Sequence, residues 1–90
     1  MMTEEKLREV IERLRGMVEA RRGINTWFSA NIFAGHIEHL HDMPDKMLGF
    51  LAEGRREKLM RWVGFMQGAL WMMGVDLEEL KRMNMPDEEK

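Results

Sequence analysis

Between Arg61 and Asp76 the sequence RWVGFMQGALWMMGV holds a single polar side chain, Gln67. A helix made from it is apolar on every side, and such a helix needs cover on every side. That requirement constrains the fold more than any other feature of the chain. Residues 62–75 would span about 21 Å as a helix, short of the roughly 30 Å hydrocarbon core of a bilayer. The segment is therefore expected inside a bundle or against another subunit, and no membrane partner is expected.

A chain of 90 residues makes one small domain, 1–90, with limited capacity to bury its own surface. It has no Cys, so neither disulfides nor thiolate zinc ligands can staple it. Packing between helices is left as the source of stability, with self-association as the usual supplement. The abundance of Met, Leu, Glu, Lys and Arg favours helix, and there are few Val, Ile or Thr for a sheet.

The expected fold is all-α: a small bundle of three main helices plus a short C-terminal helix, in an oligomer. The first helix is expected over 3–21, with Thr3 as cap, Glu4 and Glu5 in its first turn, and Leu7, Val10, Ile11, Leu14 and Val18 at helical spacing. A second is expected over 25–41, broken by Asp42-Met-Pro-Asp45 because the residue before Pro44 disfavours helical dihedrals. A short helical turn over 46–52 would follow, ending at Gly54. The third runs over 55–73 and closes at Gly74. The last occupies 76–84, with Asp76 and Glu79 spaced as a capping box.

The formal net charge of -2 weighs against two partner classes: nucleic-acid binders are usually basic, and DNA mimics far more acidic. The last helix opens Asp-Leu-Glu-Glu, which would repel a phosphate backbone, so nucleic-acid binding ranks low. The N-terminus is polar and lacks the apolar core of a secretory signal, so a cytoplasmic setting is expected.

Two clusters could carry chemistry. Arg55, Arg56, Lys58 and Arg61 gather at the start of the third helix, where cations and free backbone N–H groups could hold a phosphate. Trp62 beside them could stack on a base, which suggests sequestration of a phosphate-bearing ligand such as a signalling nucleotide. The ordinary reading is a solvated flank paired with Glu53 and Glu57. His36 and His39 are spaced i, i+3 and could share a metal ion, with His41 nearby; a polar helix end explains them as well. No phosphate-binding loop, nucleophile elbow or catalytic carboxylate pair is present, so an enzyme and a cofactor are not expected.

Gly64 and Gly68 sit one turn apart inside the apolar helix, where each costs about 1 kcal/mol relative to Ala. A backbone of another copy could approach there, flanked by Met66, Gln67, Trp71 and Met72. Those six residues form the expected interface of a homodimer or higher oligomer, with Gln67 needing an amide partner, either its symmetry mate or a capped loop.

Over 58–84 the sequence resembles a group of small uncharacterised proteins of tailed bacteriophages. Their C-terminal segment reads K-x-x-R-W-(L/V)-G-F-x-Q-G, matched here by Lys58, Arg61, Trp62, Gly64, Phe65, Gln67 and Gly68. The resemblance implies a phage or prophage accessory protein in a bacterial cytoplasm. It implies action by binding, including inhibition of a host defence or regulatory factor, and brings no catalytic residues.

Overall fold

The computed structural model describes residues 2–21 and 34–84, with the backbone alone for 34–38. Within these residues the secondary structure is entirely helical: α1 (Glu4–Arg21), α2 (Ala34–Ala52), α3 (Arg56–Met72) and α4 (Leu77–Met83). None of the described helices is long and apolar enough to cross a membrane.

The first helix begins where its cap predicts: Thr3 Oγ1 accepts from the Lys6 backbone N–H at 3.0 Å, satisfying one of the orphan donors of the first turn. At the other end Arg21 donates to the Met17 carbonyl at 3.1 Å, placing a cation on the negative end of the helix dipole. Between them Leu7, Val10, Ile11, Leu14 and Val18 form a fully buried stripe at three- and four-residue spacing.

The second helix departs from expectation. It does not break at 42–45 but runs through Pro44 to Ala52, absorbing the turn expected separately over 46–52. Pro44 removes one ladder hydrogen bond and crowds the carbonyl of Leu40, at a cost of about 3 kcal/mol in a helix interior. What offsets this is packing. Leu40, Met43, Met47 and Leu51 recur at spacings of three and four, and all are buried. Each contributes about 1.5–3 kcal/mol relative to exposure, so an unbroken stripe outweighs one lost hydrogen bond. The start expected at 25–33 lies outside the described residues.

Both glycine stops behave as expected, for a reason visible in the backbone. Gly54 has φ +75° and Gly74 φ +100°, left-handed conformations that a Cβ would strain. Each is the pivot of a Schellman motif. After α2, Arg55 N–H donates to Phe50 O and Gly54 N–H to Leu51 O; after α3, Val75 N–H donates to Leu70 O and Gly74 N–H to Trp71 O. Asp76 then caps α4, its side chain accepting from the Glu78 N–H at 3.0 Å.

The helices α1, α2 and α3 share one core, with α1 most extensively packed on α2, and α4 closing against α3. Two polar ties flank the α1–α2 seam. Arg15 bridges Glu12 of its own helix and Asp45 of α2, at 3.2 and 2.9 Å. The hydrogen bond to Asp45 is the largest influence raising the Arg15 pKa, so this guanidinium stays charged throughout the range in which the protein would be handled. His41 of α2 pairs with Glu19 of α1.

Candidate functional site

The apolar segment resolves into two opposite faces. Leu59, Val63, Met66 and Leu70 are buried, a single stripe turned toward α1 and α2. Trp62, Ala69 and Met73 are half-covered at its margins. The remaining face looks outward: Phe65, Trp71 and Met72 are 55%, 52% and 58% exposed. Gly64 and Gly68 lie exposed between them, and among the described residues a Cβ built on either would meet nothing within 4 Å. So within one chain the segment is not buried all round. One stripe is core and the other side is an aromatic and methionine ridge with two hollows.

This changes the expected interface set. Met66 leaves it, because its side chain is 0% exposed and interlocks with the intramolecular core. Gln67 finds its partner inside the chain. Its amide and that of Asn84, the C-cap of α4, donate to each other reciprocally at 2.9 Å in both directions. Gly64, Gly68, Trp71 and Met72 remain on the outward face. Phe65 joins them, a residue the apolar pattern could not single out because a segment apolar on every side gives no direction.

The cationic cluster divides between two places. Arg55 and Lys58 both lie over the Phe50 ring, at 5.4 and 4.7 Å from its centroid, where its electron-rich face attracts them. Trp62 meets the same ring edge-on at 4.8 Å. Phe50 thereby holds three of the expected site residues, a role no spacing rule predicts because it sits on the preceding helix. Arg56 turns the other way and donates to the Met2 carbonyl at 2.6 Å. Arg61 pairs loosely with Glu57 at 3.5 Å.

Arg56 and Arg61 both border a cleft of about 720 Å³ whose apolar lining comes from Met2, Leu7 and Met60, with Glu57 and Asn84 completing the wall. Trp62 lines a smaller cleft of about 310 Å³, shared with Arg61, His39, Met43 and Phe65. The four cations and Trp62 therefore do not converge on one pocket.

His39 is exposed and packs its ring edge-on against Phe65, with centroids 6.1 Å apart. The His36 side chain lies outside the described residues, as does Trp27, the alternative to Trp62 for stacking on a base. Among the described residues no cluster of three or more His, Asp or Glu side chains is arranged to hold a metal ion. Set against family models, curated proteins and solved structures, the chain gives no match.

Proposed function

We propose that this chain is a non-enzymatic binding protein that acts through the outward face of α3, and that a second copy of the chain occupies that face. The observation that carries the reading is the pair Gly64 and Gly68. Two glycines on an exposed helix face cost about 2 kcal/mol in sum relative to alanines. Among the described residues nothing comes close enough to need them. A backbone from outside the chain is the approach they would serve.

The surface has the shape for self-pairing. Phe65, Trp71 and Met72 project beside the hollows at Gly64 and Gly68, so a two-fold arrangement sets the ridge of one copy into the hollows of the other. An aromatic side chain presents about 150–250 Å². Half-exposed Phe65 and Trp71, with Met72, therefore offer about 300 Å² of apolar surface per copy. Two copies contribute about 600 Å², and with the usual polar share the contact reaches about 1,000 Å². That is the lower bound of specific interfaces, which makes the expected dimer one of micromolar strength.

The resemblance over 58–84 supports a phage accessory setting, in which such a protein blocks a host defence or regulatory factor by contact. The test is sedimentation equilibrium on the full chain from low to high micromolar concentration, beside Phe65→Glu. A concentration-dependent dimer that Phe65→Glu abolishes, with helicity retained, is expected. A strict monomer across the range would refute occupation of the face by a second copy.

A further inference from the structure

The larger cleft lies along the first turns of α3, between the start of α1 and the C-cap of α4, and its described lining includes none of Phe65, Trp71 and Met72. Its volume of about 720 Å³ falls within the range of small-molecule sites. Its floor is aliphatic: Leu7 is fully buried beneath it, and Met2 and Met60 supply unbranched thioethers that adapt to a flexible chain. At its rim stand two guanidiniums and one carboxylate, those of Arg56, Arg61 and Glu57.

We propose that this cleft binds an aliphatic-tailed anion of the fatty-acyl class, with the tail on Met2, Leu7 and Met60 and the carboxylate between Arg56 and Arg61. Both cations have capacity for it. Arg56 commits one N–H to the Met2 carbonyl and keeps the rest of its five-donor fork. The Arg61–Glu57 contact is long, and its side chains are 67% and 92% exposed, so it contributes little and exchanges readily for a ligand carboxylate. Glu57 opposes an anion, but the described rim residues, two Arg and one Glu, keep one net positive charge. A flat base is the poorer occupant, because Phe50, Trp62, Phe65 and Trp71 all lie off this cleft and no aromatic ring among the described residues lines it. This narrows the ligand from a nucleotide to an amphiphile whose body is held by methyl and methylene groups.

The test is calorimetric titration of the full chain in the Trp71→Glu background, which interrupts the ridge as a competing apolar surface at a position ten residues from Arg61 and outside the described lining of this cleft. The probes are decanoate, decyltrimethylammonium and acetate, each below any micellar concentration. Saturable one-to-one decanoate binding is expected, with the cation of equal tail length at least tenfold weaker and acetate without measurable affinity. Arg56→Gln with Arg61→Gln should weaken decanoate by roughly tenfold or more, the size of a lost charge-assisted hydrogen bond. Methyl NMR should show Met2 and Met60 shifting on titration while Met72 stays still. Equal affinity for both charges, no effect of the arginine pair, or shifts at Met72 in place of Met60 would each overturn the assignment. Failure of dimerisation would leave these readouts intact, so the two proposals fail separately.

Discussion

The amide pair of Gln67 and Asn84 allows a sharp test of how the apolar helix is completed. The two side chains exchange hydrogen bonds at 2.9 Å across half-buried surroundings, joining α3 to the last residue of α4's frame. Asn84→Ala removes both bonds and leaves the Gln67 amide with a donor and an acceptor in a partly dry place. A hydrogen bond contributes about 1 kcal/mol net, and an orphaned polar group costs about 1–3 kcal/mol. Half-burial lets water recover part of that, which brings the expected loss to about 1–2 kcal/mol. The cap itself is unaffected, since Asn84 caps α4 through its backbone N–H. For a domain of this size such a loss lowers Tm by roughly 5–15 °C.

Chemical denaturation of wild type, Gln67→Ala, Asn84→Ala and the double variant gives the coupling energy directly. A value of about 1 kcal/mol or more is expected, independent of protein concentration. A coupling below about 0.3 kcal/mol would refute the intramolecular pair, since that is the scatter of independent sites. Gln67 pairing with its own symmetry mate would give a different signature: Asn84→Ala would be neutral and Gln67→Ala would change only association.

Two further contrasts follow from positions that look alike in sequence. Gly64→Ala and Gly68→Ala have open space and helical backbone, so each should raise monomer stability by up to about 1 kcal/mol while weakening self-association; Gly54→Ala and Gly74→Ala, at positive φ, should each lose about 1–2 kcal/mol, as read by denaturant midpoints. Met66→Ala opens a cavity in the core and should lose about 2–5 kcal/mol, whereas Met72→Ala should change stability by less than about 0.5 kcal/mol and be felt in the sedimentation profile.

Local rules made most of the helix ends legible. Thr3, Gly54, Gly74 and Asp76 act through bonds and dihedrals within a few residues of themselves, so their roles survive any tertiary arrangement. The same holds for the all-helical character, which rests on composition and on repeats such as Leu7-Val10-Ile11-Leu14. Pro44 shows where that reasoning stops. Its local penalty is real, but the stripe from Leu40 to Leu51 spans both sides of it, and only the presence of α1 and α3 against that stripe makes continuity the lower-energy choice.

The site depended still more on the third dimension. In the sequence Arg55, Arg56, Lys58 and Arg61 are one basic run; in the structure Phe50 draws two of them to one side and the Met2 carbonyl draws Arg56 to the other. Helical spacing places residues on faces but does not say which face another helix will claim. An apolar periodicity all the way round a helix carries no direction, so RWVGFMQGALWMMGV by itself determined that cover was needed and left open where. Packing of α1 and α2 onto Val63, Met66 and Leu70 decided it: among the described residues these helices cover one side of α3 and leave Phe65, Trp71 and Met72 on the other.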